Sequence, residues 1–246
     1  MKHKLLHISS KDKQAGTNSN FSLNLSHHYW LQAAKSVVVK HVTIPNVFYN
    51  VDANNNTFTY EIAGAPSTVV VDVGQYSISD LLGALTVVMV ADGVVGFTAT
   101  LDAITRKVSF TSTTAIEYLS AGNAMAGALG ITQGSVGDVT AHTAAHLPSL
   151  EGIRNIVIAS SSLGENNYLA SDQKIADVIA LVPMDQPFGG VVHYVSQHSE
   201  IDDFDTLSQR NGKNISQIDI RVIDTDTNQI VDLTNHDIDI VVKIYY

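Results

Sequence analysis

The chain has no cysteine among its 246 residues. Disulfide frameworks, thiolate metal sites and cysteine nucleophiles are therefore excluded, and cysteine usage assigns no redox compartment. Charge is scarce too, at 15% of residues, and basic residues are the scarcer kind: 14 Lys and Arg against 24 Asp and Glu, a net charge of −10. A broad nucleic-acid surface needs the opposite balance, because cations must neutralise phosphates. Long apolar runs are also missing. The most apolar stretch, Leu81 to Val95, is interrupted by Gly83, Asp92 and Gly93 and is too short to span a bilayer. The opening MKHKLLHISSKDKQ does not resemble a secretory leader, since no sustained apolar run follows Leu5 and Leu6. A soluble protein without a classical leader is the expectation.

What is present reads as a folded β protein, with 45% hydrophobic residues. Phe21, Leu23 and Leu25 alternate with Ser22, Asn24 and Ser26, the period of a half-buried strand. SVVVKHVTI (36–44) is rich in β-branched residues and stops at Pro45, which cannot donate to a ladder. VFYNV (47–51) and TFTYEIAG (57–64) continue the β text across an Asn-rich turn. Near Gly64 the character changes to a strand, a turn at Gly74 and a helix. Ser77 or Ser79 is suited to cap that helix, with Asp80 in its first turn, where the helix dipole favours an acid. A hairpin turning near Asp102 to Arg106 follows, then a short Ala-rich helix ended by Gly130. Residues 133–152 have weak periodicity and read as a connector. Strand text resumes and ends on HDIDIVVKIYY, where Ile238, Ile240, Val242 and Ile244 face one way. The expected fold is mainly β: an antiparallel eight-stranded jelly-roll sandwich with an inserted small α+β module. Its parts are a basic N-terminal arm (1–17, with Lys2, Lys4, Lys11 and Lys13), a jelly roll (18–63 and 150–246), the inserted module (64–135) and the connector (136–149).

No complete catalytic or metal constellation emerges. His142 and His146 have the spacing that places two imidazoles on one helix face, but Thr143 stands where a zinc protease needs Glu, and no third ligand follows. Asp224, Asp226 and Asn228 begin like a calcium loop, yet Gln229 and Asn235 replace its Gly and Glu, so a self-capping hairpin turn is expected. Glu200, Asp202, Asp203 and Asp205 form a denser acidic cluster, for which a solvated loop and a calcium site are the two readings. The carboxylate pairs Asp237/Asp239 and Asp219/Asp224 lie in or beside strands, where alternation explains them as outward-facing. Ten histidines include no H-x-H, so a cupin-type metal site is not indicated, and there is neither a G-x-S-x-G elbow nor a phosphate-binding loop. The expectation is no catalytic residue, metal or cofactor. Among exposed aromatics, Tyr29, Trp30, Phe48 and Tyr49 are candidates for subunit contact.

NSNFSLNL followed by SVVVKHVTIPNVFYNVDANNNTF resembles the opening of penton (fivefold-vertex) proteins from tailless icosahedral double-stranded DNA viruses with double jelly-roll major capsid proteins. The resemblance rests on Phe21 to Leu25, Thr43 to Asn50 and Asn54 to Phe58. It continues in GQYSISDLL, the hairpin and ALGIT, and in the last strand pair with Val231, Asp232 and Leu233. It implies a structural virion protein, not an enzyme, that forms a homopentamer at the capsid vertex among major capsid proteins. The inserted module would point outward as a spike base or receptor contact, and the basic arm inward toward the packaged genome or an inner layer. The alternative from another class is a carbohydrate-binding or adhesin jelly-roll protein of a phage or virus, which explains the β frame and aromatics but not the ordered match at both ends.

Overall fold

The computed structural model describes residues 3–25, 36–118, 123–131, 136–164, 177–196 and 215–245. It divides into two compact units: residues 1–48 with 153–246, and residues 49–152.

The first unit is an antiparallel jelly-roll sandwich. One sheet has the order β1 (His3–Ser9), β14 (Asp239–Tyr245), β4 (Ser36–Pro45), β12 (Val191–Val195). The other runs β11 (Val178–Pro183), β10 (Asn155–Ala159), β13 (Gln217–Asp224), β3 (Asn20–Asn24), β2 (Ala15–Gly16). With the two-residue β2 set aside, the chain steps between the sheets so that its first long strand lies beside its last, as a jelly roll requires. Alternation decides which side chains fill the space between the sheets. Ile240, Val242 and Ile244 on one side meet Phe21, Leu23, Ile156, Ile158, Ile218 and Ile220 on the other in one continuous core.

Two sequence expectations change here. The N-terminal segment is not a free arm: His3 to Ser9 pair with Tyr245 to Asp239, and Ile8 is buried in the core. Its end is clamped by Ser10, whose Oγ donates to Asp237 Oδ1 (2.9 Å) and accepts from Ile238 N (3.1 Å). Lys11 lies 3.8 Å from Asp237, and Lys13 donates to Asn18 at 2.6 Å. The run 47–51 is not a strand either; it keeps one isolated bridge, Val51 to Gly74.

The second unit holds its own sheet, β6 (Ala65–Val70), β5 (Thr57–Ile62), β8 (Val108–Tyr118), β7 (Thr98–Leu101), with β9 (Val136–Thr143) also paired to β8. Helix α1 (Ile78–Ala91) and the one-turn α2 (Ala126–Leu129) complete it. The unit starts at residue 49, so β5 belongs here and not to the jelly roll, because β5 pairs with β6 and β8. Residues 136–143 of the expected connector are strand β9. Its register against β8 shifts twice, and the shift between Val139 and Val136 adds a residue to β9 itself. The core is aromatic: Phe110 lies 5.3 Å from Tyr118, 5.9 Å from Phe97 and 6.0 Å from Phe58, ring centre to ring centre. Such offset and tilted ring pairs add to the stabilisation from area alone. Asn50 Nδ2 donates to the carbonyls of Tyr76 (2.8 Å) and Leu150 (3.4 Å), bringing the unit's entry and exit together.

Candidate functional site

Helix α1 is positioned by its ends. Ser77 Oγ accepts from Asp80 N (3.2 Å), satisfying one of the free amides of the first turn. At the other end the Asp92 carboxylate accepts 2.6 Å bonds from Tyr60 Oη and Ser67 Oγ. These bonds, from Ser67 and then Tyr60, hold the Asp92 carboxyl below its usual range, so the helix ends in a fixed negative charge. The same contact, after burial, pushes the Tyr60 phenol up to about 12. Leu81, Leu82, Leu85 and Met89 bury one face of α1. The opposite face should be polar on a surface helix. Here it is Gly83, Val87, Val90 and Ala91, with Val87 68% and Val90 51% exposed, and no charged residue lies between Asp80 and Asp92.

The hairpin between β7 and β8 presents a second apolar feature. Asp102 Oδ1 accepts from Ile104 N (3.0 Å), Thr105 N (2.6 Å) and Thr105 Oγ1 (2.9 Å). The Thr105 bonds and then the Ile104 bond keep the Asp102 carboxyl below its ordinary range. The turn is thus locked by its own first residue. At its tip stands Ile104, 91% exposed, followed by Arg106 and Lys107. Beside it, Leu101, Arg106, Tyr76, Ser77, Leu147 and Pro148 contribute to a surface pocket of ≈ 470 Å³. Its lining carries one cation and several amide or hydroxyl groups, but no carboxylate.

Several polar groups elsewhere among the described residues are tied into the fold by their own bonds. Burial opposes charge on Asp219, but bonds from Ser162 and Ser161, through hydroxyls and backbone amides, outweigh it and hold the carboxyl below its usual range. Arg221 lies 3.8 Å from Asp177 and 4.0 Å from Asp219. Alternation alone would have pointed Asp219 into solvent, and its partners Ser161 and Ser162 lie too far along the chain for any local pattern to signal them. His142 sits on a strand rather than a helix, stacked on Phe110 at 6.2 Å and packed on Tyr118 at 5.3 Å, and burial lowers its pKa. His146 lies past the end of β9, so the helical spacing of the two imidazoles does not apply. No group of three or more metal-ligating side chains occurs among the described residues. Asp224 closes the expected self-capped turn, accepting from Asp226 N (3.0 Å) and Thr227 Oγ1 (2.6 Å).

Of the four aromatic contact candidates, Phe48 is 8% exposed and belongs to the jelly-roll core, which removes it from the list. Tyr49 is 44% exposed. Tyr29 and Trp30 lie outside the described residues, as do Glu200, Asp202, Asp203 and Asp205. The exposed valines of α1 and Ile104 escaped sequence reading because aliphatic residues in a helix or hairpin read as core until their neighbours are known.

No protein-family model matches the chain, and no curated protein sequence matches it. Among solved structures, the crystal structure of a selenomethionine-labelled mavirus penton protein is similar, with a TM-score of 0.57 at 13% identity, covering 99% of this chain and 99% of that one. The likeness is one of fold.

Proposed function

We propose that this chain is a structural virion protein that builds the fivefold vertex of an icosahedral capsid as a homopentamer, in contact with the surrounding major capsid protein. The observation that carries the reading is the extent of the likeness to the mavirus penton protein: 99% of both chains, so that it takes in both units and not the jelly roll alone. A sandwich by itself is host to many functions. A sandwich interrupted between its third and fourth long strands by a 104-residue second unit (49–152) is a narrower description. In this reading the jelly roll is the rigid wedge, and residues 49–152 face outward as a spike base or receptor contact. A capsid map that places 49–152 on the inner surface would remove that orientation.

The direct test is the mass of the purified protein by light scattering across concentration and salt. A closed pentamer that grows with concentration is the expected result. A stable dimer or trimer overturns the vertex reading. A persistent monomer that binds glycans on an array would replace it with the adhesin reading.

A further inference from the structure

We propose that the Ile104 hairpin tip of one copy docks on the outer face of α1 of the next copy, and that this contact closes the ring. The inference rests on the vertex reading and names the contact it leaves open.

Cyclic symmetry joins two different patches of the same chain, because a patch that meets its own copy closes a dimer. The second unit displays two such patches. One is a knob: Ile104 is 91% exposed, on a turn that Asp102 locks with three hydrogen bonds. A turn whose backbone is already held in place loses little conformational freedom on docking. The other is a shallow apolar face, Gly83, Val87 and Val90, with a glycine whose missing side chain leaves open space. Among the described residues Ile104, Val87 and Val90 all stand at least half exposed, so none is covered from within its own unit.

Charge fixes the occupant. Copies that each carry a net charge of −10 repel one another, so they meet most readily where faces are neutral or complementary. The α1 face is neutral, and Asp80 and Asp92 bracket it. The hairpin tip carries Arg106 and Lys107 beside Ile104. Seating Ile104 among the valines brings the two cations toward those carboxylates. The chain therefore supplies both halves of one contact, apolar centre and charged rim alike.

The absence of native cysteine makes the test clean. The full-length double variant Ile104→Cys/Val87→Cys is oxidised mildly and run on a non-reducing gel. A ladder ending at a five-chain species is expected, and each single variant alone should go no further than dimers. In parallel, Ile104→Asp should raise the concentration needed for assembly by about tenfold or more. At a concentration where both proteins are monomeric its melting temperature should be unchanged, because the exposed side chain touches no core. A wild-type pentamer with no ladder and with an unaffected Ile104→Asp variant overturns the contact and leaves the vertex reading standing. A wild-type monomer with no ladder overturns the contact, and the vertex reading falls with it only if that monomer also binds glycans. A ladder from a monomeric wild type supports the contact as a weak one trapped by the bond.

Discussion

Tyr118 is fully buried, and neither its hydroxyl nor the neighbouring His142 Nε2 has a hydrogen-bond partner among the described residues. Burial pushes the Tyr118 phenol up to about 12, which leaves it neutral and unpaired at ordinary pH. A buried polar atom without a partner carries its desolvation cost with nothing to offset it. Tyr118→Phe should therefore be neutral or stabilising by about 1 kcal/mol in a urea titration. The pH dependence has a definite sign. A folded pKa above the unfolded value means that stability is whole below the ordinary phenol range and is lost as pH rises from about 10 toward 12. Tyr60 adds a second loss in the same window. The variant should keep the Tyr60 part and lose the Tyr118 part, as measured by melting temperature against pH. At this scale the sequence was partly legible. Asp80, the Asp224 turn and a helix cap at Ser77 or Ser79 were legible from local rules, because each bonds within three residues of itself, and the structure selects Ser77. The Asp219 network could not, because its partners lie 57 and 58 residues away.

Among the elements, β1 departs most from its text. Charged and polar residues dominate the opening, so the segment reads as a frayed end, yet Ile8 is buried in the core and Leu6 packs against it. Ile8→Ala should cost about 2–5 kcal/mol. Its amide protons from Leu5 to Ser9 should then exchange faster than those of β4, which hydrogen-exchange mass spectrometry would resolve. Equal exchange in β1 and β4 would mean that pairing to β14, and not the isoleucine, holds the strand. β9 was hidden for a different reason. Its register against β8 shifts twice and one of those shifts adds a residue to β9 itself, whereas the one shift of β14 against β4 adds its residue to β4 and leaves Ile240, Val242 and Ile244 in plain alternation. β5 was legible as a strand but not in its allegiance, because period-2 text states that a strand is half-buried and not which sheet it joins.

For the whole molecule, the jelly-roll architecture followed from counting strands and turns, whereas the seam between the units did not. The two units have separate cores, and the second opens and closes at one place, where Asn50 bonds to Leu150. An insertion whose ends meet is replaceable by a short link at small entropic cost. A chain in which residues 49–152 give way to a short Gly/Ser loop should retain the β circular-dichroism signature and one cooperative melt. The excised 49–152 fragment should melt cooperatively as well, and Phe110→Ala should destabilise the fragment by about 3–5 kcal/mol. If neither piece melts cooperatively, the two cores are not independent folding units.

The antiparallel pairing of β1 with β14 has a mechanical consequence. Its outermost rung joins His3 to Tyr245, the two extremes of the described chain, and its innermost joins Ser9 to Asp239. A tension drawn through both ends of the polypeptide therefore loads that outer rung first and passes to the next only after it parts. Strands pulled this way open like a zipper, whereas strands pulled lengthwise past each other must break all their bonds at once. Against such a pull the seven rungs of this ladder resist with the strength of one.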